Sequence, residues 1–495
     1  MMYGEEKSDS LIVAANLANN PQGAESVERR SGAKGNAEQP HMRRTQSRES
    51  MSQRLSRVRE AAKQRKKERF TALFHLLTAE ALENAFLSLR RKAAAGVDGV
   101  RWKDYAENLK VNIADLHRRL HQGSYRAQPG RRHYIPKADG KQRPLGIASL
   151  EDKIVQYALV KILNAVYEND FMGFSYGFRP GRSQHNALDA LATGLVRTNV
   201  NWVLDADISQ FFDKVSHEWL IRFIEHRIGD QRVIRLIRKW LTAGTSEEGE
   251  WRASEEGTPQ GAVISPLLAN IYLHYVFDLW AHQWRRRHAT GNVVMVRYAD
   301  DIVIGFDKRI DAQCFRIAMQ RRLKEFGLTV HPKKTRLMEF GRFAAENRAS
   351  RGKGKPETFN FLGFTHISGK DRSGRFMLIR KTRRDRMTAT LKAIKDGLRK
   401  RWHYSIPEQG KWLRRVVQGY LNYHSVPGNY PMMRKFRIYV TDLWRRALRR
   451  RSQQDDTTWT KANRLAAVWL PKVRVLHPWP VERFTARHPR QEPGA

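Results

Sequence analysis

Val293-Val294-Met295-Val296-Arg297-Tyr298-Ala299-Asp300-Asp301-Ile302-Val303-Ile304 is the stretch on which the fold turns. Two apolar runs rich in β-branched residues, Val293–Val296 and Ile302–Ile304, stand a few positions apart, the pattern of two antiparallel strands joined by a tight turn. Asp300 and Asp301 sit at the bend. Aspartate is common in solvated turns for local hydrogen-bonding reasons, so the pair alone says little. Its weight comes from a second stretch well upstream, Trp202-Val203-Leu204-Asp205-Ala206-Asp207-Ile208. Alternate side chains of a strand share a face, which puts Val203, Asp205 and Asp207 on one side and Leu204, Ala206 and Ile208 on the other. Aspartates in an apolar strand are costly to bury without a compensating positive charge. Carboxylates converging from a strand and a hairpin also raise one another's pKa. A divalent cation answers both problems. Magnesium takes one or two carboxylates plus water and phosphate oxygens, and two such ions can clamp the attacking and leaving oxygens of a phosphoryl transfer.

The 495 residues carry 91 Lys or Arg against 50 Asp or Glu, a formal net charge of +41. Such a length has room for roughly two to four domains and a large core. The charge points to a polyanionic partner, nucleic acid by default, and the 13 Trp and 15 Tyr interleaved with it can stack on bases. The single cysteine, Cys314, excludes an intramolecular disulfide and any zinc site built on two thiolates, and fits a reducing, cytosolic setting. The longest apolar stretch, Ala262 to Leu273, is interrupted by Ser265, Pro266 and Asn270 and is too short to span a bilayer, so no membrane partner is expected. Glu5 and Glu6, with no basic start leading into an apolar segment, do not read as a secretory signal.

In chain order, residues 1–50 have too little apolar content to repay ordering and are expected to be disordered. A basic helical extension is expected over 51–115. Within it Leu55, Val58, Ala61 and Ala62 form a partial helical stripe, read either as a solvated helix face or as a basic arm on RNA. Leu76 to Arg90 predicts a helix through Leu77, Ala81, Leu82, Ala85, Phe86 and Leu89. Tyr134 to Ile147 reads as a strand, an Asp139-Gly140 turn and a second strand. Its Lys137 and Arg143 could meet on one triphosphate or simply guard a sheet edge. Glu151 to Gln156 begins an amphipathic helix. Phe174 to Ser183, with Arg179, Gly181 and Arg182, has the composition of a loop that hugs a nucleic-acid backbone. Gly257 to Asn270 sets glycines around Gln260 just before a helix, so backbone can approach a ligand near unpaired N–H groups. From about Lys370 the chain turns basic, with fifteen Lys or Arg against four acids between Asp371 and Arg415. Phe436, Val440, Leu443, Trp444 and Ala447 then mark an amphipathic helix with arginines around it.

Tyr298-Ala299-Asp300-Asp301 resembles the Tyr-Xaa-Asp-Asp box of the reverse transcriptases encoded by bacterial group II introns, also called intron maturases. Asp207, within Asp205-Ala206-Asp207-Ile208-Ser209-Gln210-Phe211-Phe212-Asp213, resembles that family's other metal-binding strand. The likeness runs from roughly Arg54 to Pro480. It implies an α+β right-hand polymerase: fingers and palm, with an antiparallel palm sheet plus helices, over 116–368, an α-helical thumb or maturase domain over 369–470, and a tail over 471–495. Ala95-Gly96-Val97-Asp98-Gly99 is similar to a stretch ahead of the fingers in an extension that contacts template.

The resemblance also implies roles. Asp207 and Asp300, with Asp301 as a third carboxylate, would hold two Mg2+ ions, Mn2+ being a possible substitute, while a primer 3′-hydroxyl attacks the α-phosphate of a dNTP. Lys137 and Arg143 would contact its phosphates and Gln260 the nucleotide. Phe212, rather than its neighbour Phe211, would lie beneath the sugar and exclude a 2′-hydroxyl. Lys334 would touch the nucleotide or serve as a structural partner of Asp300 or Asp301. Arg179, Gly181, Arg182 and Gly261 would lie along the template, and Leu362 and Gly363 would grip the primer end. His424 is expected to be a packing or RNA-contact residue. Implied partners are group II intron RNA in a ribonucleoprotein, an RNA template, a DNA primer, dNTPs and target DNA. The implied setting is the bacterial cytosol, nucleoid-associated when on target DNA, and the implied activities are RNA splicing and retrohoming of a mobile element. Two alternatives stay open: an RNA-binding splicing factor with little polymerase activity, and a domesticated or defence-associated reverse transcriptase. The cysteines of the zinc-associated endonuclease found in many relatives are missing and fifteen residues follow Pro480. No endonuclease activity is therefore expected, and integration would need another primer, such as a nascent strand at a replication fork.

Overall fold

The β-branched runs become strands. In this computed structural model, which describes residues 50–136, 142–247, 249–253, 255–451 and 457–487, they are, in chain order, β1 (Gly130–Pro136), β2 (Gln142–Ile147), β3 (Trp202–Asp207), β4 (Thr245–Glu247), β5 (Glu250–Arg252), β6 (Val293–Tyr298), β7 (Asp301–Phe306), β8 (Arg336–Glu339), β9 (Phe359–Phe361), β10 (Phe364–Lys370) and β11 (Phe376–Thr382). The segment expected to be disordered, apart from Ser50, lies outside the described residues, as do Lys137 and the Asp139-Gly140 turn.

The central sheet has the order β6-β7-β3-β8 with every neighbour antiparallel. Tyr298 pairs with Asp301, so Ala299 and Asp300 form a two-residue loop of the kind the sequence predicts. β3 lies on the other side of β7 and pairs Asp207 with Asp301. Val203, Leu204 and Ala206 are buried, while Asp205 and Asp207 keep part of their surface open. Among the described residues the other sheets are β2-β1-β4-β5, where β1 and β4 are parallel, and β11-β10-β9. The architecture is thus mixed α+β, a mostly antiparallel sheet region followed by helices.

The helix Leu150–Tyr167 is buried on most of its surface, including Asp152 and Gln156, and so is a central helix rather than the amphipathic one expected. The helix Met51–Gln64, capped by Ser50, lies against it with Ala62 buried and Leu55 and Val58 packed, so the apolar stripe there is packing. In the next predicted helix, Thr78 accepts a hydrogen bond from the Ala81 N–H and moves the start to Ala79, an N-cap effect.

Beyond Thr382 a second apolar core, including Ile394, Leu413, Val417, Phe436, Val440 and Trp444, binds the helices Arg384–Arg399, Ile406–His424, Tyr430–Arg449 and Trp459–Trp469. Each of these large side chains contributes roughly 1.5–3 kcal/mol by burial. The pair Arg446–Asp442, open to water on the arginine side, contributes no more than about 1 kcal/mol, so the apolar stripe holds the helices together. The boundary expected at 368/369 falls inside β10, whose ladder with β11 carries the sheet on to Thr382. Residues of the expected tail fold back. The Leu476 and His477 N–H groups donate to the Ser425 carbonyl, and the helix Pro480–Arg487 packs on Gln184–Arg197 with Phe484 buried and Arg483 paired to Asp189. Among the described residues no helix is long and apolar enough to cross a membrane.

Candidate active site

The register of β3 against β7 brings three carboxylates to one end of the central sheet: Asp207 across from Asp301, and Asp300 in the adjoining loop. Asp301 is open to solvent on one side and crowded by protein on the others. Burial, reinforced by Asp300, Asp207 and Asp205, pushes its carboxyl up to about 7, with Lys334 opposing. Burial also raises Asp300; Asp207 adds to the rise, while Arg143 and Lys334 work against it. Asp205, on the same strand face as Asp207, is pushed up to about 6, chiefly by burial, against the pull of Arg336. Lys334 Nζ lies 2.8 Å from Asp207 Oδ2, so its partner is Asp207 rather than Asp300 or Asp301. Among the described residues no three His, Cys, Asp or Glu side chains are gathered tightly enough to hold a metal ion as they stand.

What holds the hairpin is Arg297, which the sequence reading passed over. Ala299 adopts φ +56°, a left-handed conformation costing an L-residue roughly 1–2 kcal/mol. Arg297 is fully buried beneath it and uses all five N–H donors. Two go to Asp278 at 2.7 and 2.5 Å, two to the Asn270 Oδ1 and the Ala299 carbonyl at 3.1 and 3.0 Å, and one to Ser175 Oγ at 2.7 Å. Asp278 ends a five-residue π turn, His274–Asp278, an insertion that aims its carboxylate at the guanidinium. Gly177 lies so close to the loop that a Cβ there would sit 2.4 Å from the Ala299 nitrogen, and its carbonyl accepts from Asn270 Nδ2 at 2.7 Å. An arginine closing an otherwise apolar strand was the available signal.

The loop before the helix Ser265–Leu273 is tied to this site through Arg143, which bonds Gln260 and whose charge acts on Asp300. The Gly146 N–H donates to the Gln260 carbonyl at 2.7 Å, and Arg143 Nε donates to Gln260 Oε1 at 2.8 Å. Gly261, at φ +109°, leans on the Gly146 carbonyl. The Thr258 N–H donates to the Phe212 carbonyl at 2.7 Å. Phe211 is buried in the core, whereas Phe212 keeps part of its ring exposed.

The arginine loop is arranged otherwise than expected. Arg179 points inward: it pairs with Glu168 at 2.9 Å, donates to the Met172 and Ser175 carbonyls, and its side chain is 2% exposed. It therefore belongs to the loop's own scaffold and does not reach a template strand. Arg182 donates to the Gly173 and Ser175 carbonyls and covers the Tyr176 ring. The parts of the loop left exposed are Phe178, Pro180, Gly181 and Ser183, with Phe178 and Gly181 at positive φ, and Arg182 keeps part of its surface open. Leu362 and Gly363 form the β9–β10 turn, also at positive φ, and Tyr423 Oη donates to the Leu362 carbonyl at 2.8 Å. His424 is buried against Phe364 and Tyr420, a packing residue.

The family described as reverse transcriptase (RNA-dependent DNA polymerase) matches residues 135–366, the part that holds the central sheet, the three aspartates and the Gln260 loop. These residues form a reverse-transcriptase-family domain. It is related to group II intron-encoded proteins: LtrA of Lactococcus lactis subsp. cremoris is 37% identical over 223 residues, 44% of this chain and 37% of LtrA. Protein YkfC of Escherichia coli (strain K12) is 43% identical over 206 residues, 41% of this chain and 54% of YkfC. A putative COX1/OXI3 intron 1 protein of Saccharomyces cerevisiae is 26% identical over 393 residues, 66% of this chain and 46% of the yeast protein. The chain thus spans about half or less of the length of these relatives.

Proposed function

We propose that this protein is an RNA-directed DNA polymerase and maturase of a group II intron, binding intron RNA, assisting its splicing and copying RNA into DNA during retrohoming. The observation that carries this function is the register that sets Asp207 across from Asp301 with Asp300 beside them. In this view the chain is a right hand. The sheets and helices ahead of Arg384 are fingers and palm, the helices from Arg384 onward are the thumb and RNA-binding maturase domain, and 51–115 is a basic N-terminal extension.

Asp207, Asp300 and Asp301 fit a pair of magnesium ions, or manganese in their place. Hard carboxylate oxygens are the ligands magnesium prefers, and the burial that raises Asp300 and Asp301, reinforced by the neighbouring carboxylates, is what a divalent cation offsets. When bound, the ions supply charge neutralisation and alignment for in-line phosphoryl transfer. The chain's residues do the rest by placement. Arg143, with Lys137, meets the triphosphate of a dNTP, and Lys334, once released from Asp207, turns to the same charge. Gln260 and the open edge of Phe212 hold the nucleotide, Phe212 against a 2′-hydroxyl. Gly181, Arg182 and Gly261 line the RNA template, and the Leu362-Gly363 turn steadies the DNA primer. Intron RNA and target DNA are met by the basic surface, which includes Arg446 and Arg449 on the outer side of the helix Tyr430–Arg449. The setting is the bacterial cytosol. A splicing factor without synthesis would have no use for the Arg143–Gln260 contact or the three carboxylates, which favour an active polymerase.

Primer extension on an RNA template, with MgCl2 added or withheld, tests this. Asp300→Ala should lower dNTP incorporation by at least about a thousandfold, while leaving RNA affinity and splicing support intact. A wild-type chain that incorporates nothing with magnesium present overturns the polymerase assignment.

A further inference from the structure

Gln260 has both ends of its amide held, and the chemistry of the two partners leaves its orientation no choice. Its Nε2 donates to Asp213 Oδ1 at 2.5 Å, and its Oε1 accepts from Arg143 Nε at 2.8 Å. Guanidinium can only donate and carboxylate only accept, so a flipped amide would set N–H against N–H and oxygen against oxygen. Asp213 has no other evident task. It is solvent-exposed in the turn Phe211–Asp213 and contributes nothing to the core, so a purely structural role would be slight. The backbones of the two segments are already joined without it, by Thr258 N–H to the Phe212 carbonyl at 2.7 Å, Gly257 N–H to the Val215 carbonyl at 2.8 Å, and the ion pair Lys214–Glu256 at 3.1 Å. What Asp213 adds is control of one side chain.

We propose that Asp213 is a positioning residue for the incoming nucleotide, acting through Gln260. This rests on the polymerase function above and deepens it. When Arg143 leaves Gln260 for a triphosphate, the Asp213 carboxylate keeps the Gln260 Nε2 turned toward itself and the freed Oε1 turned toward the nucleotide. Without Asp213 the amide rotates freely once Arg143 departs, and nucleotide binding loses a pre-oriented wall. The sugar side is untouched, because Phe212 is tied through its own carbonyl.

The test is steady-state primer extension by the full chain on poly(rA)·oligo(dT) with MgCl2, using dTTP and, separately, UTP. Asp213→Ala should raise the KM for dTTP about tenfold, the worth of one hydrogen bond to a charged group, with kcat and the preference for dTTP over UTP little changed. Asp213→Asn, which keeps an acceptor oxygen, should restore the KM. In a Gln260→Ala background, Asp213→Ala should add nothing, since both act through one contact. An unchanged KM in Asp213→Ala, a loss that adds fully to that of Gln260→Ala, or a collapse of sugar preference together with kcat would overturn the inference. If the wild-type chain extends primers and Asp213→Ala does so equally well, only this inference falls; if the wild-type chain is inert, the polymerase assignment falls with it.

Discussion

Two ion pairs border the same hairpin and do opposite work. Arg297–Asp278, beneath the loop, has both side chains fully buried and every guanidinium donor satisfied. Lys334–Asp207, at the mouth, is a single 2.8 Å contact between side chains 63% and 22% exposed. A buried pair cannot lose one member without stranding the other in a low dielectric. An open pair gives up little when water or another cation takes over. The first fixes where the carboxylates stand; the second leaves one of them available for exchange.

The largest effect that would sharpen this contrast is on stability. Asp278→Ala should cost about 3–5 kcal/mol, read as a lowered urea midpoint with unchanged slope; a loss below about 1 kcal/mol would make the two pairs alike.

Next comes the pH dependence of magnesium binding. Asp301 is pushed up from 3.8 to about 7, so between those values the folded state holds a proton that the unfolded chain has released. That contribution to stability is complete below about pH 4 and is lost as pH rises through 7. Magnesium must displace the same proton. Its affinity, measured as the MgCl2-dependent rise in Tm, should therefore grow about tenfold per pH unit from 5.5 toward 7 and then level off. A flat response across that window would show that Asp301 does not compete.

The smallest effect belongs to the open pair. Lys334→Ala should change unfolding stability by no more than about 1 kcal/mol, while raising the dNTP concentration needed for half-maximal extension. A large fall in Tm would mean that Lys334 is structural after all.

Much of this was legible before folding was considered. The hairpin announced itself because alternation and β-branching act over a few residues, and the helix stripe Phe436, Val440 and Trp444 because helical period is equally local. That Asp207 belongs with the hairpin could be argued from the cost of burying unpaired aspartates, but nothing in the spacing says that its strand lies directly beside β7 or in which register. Arg179 shows the opposite limit. Its composition suits a phosphate contact, yet Glu168, eleven residues away on the preceding turn, and two carbonyls claim its guanidinium first. Whether an arginine faces inward or outward depends on which acceptors the fold leaves unsatisfied, and a sequence does not display them. At 368/369 the composition turns basic, while the β10–β11 ladder runs on across that point, because strand pairing follows register and not charge.

Sequence by itself determined the elements, the basic character of the surface and the acidic residues with which chemistry could be done, because each depends on local period, composition or residue type. Tertiary structure alone decided that Asp207 faces Asp301, that Lys334 holds Asp207, that Arg297 supports the turn from below and that Asp213 holds Gln260. Those pairings arise between segments far apart in the chain, where register and burial, rather than neighbouring residues, choose the partner.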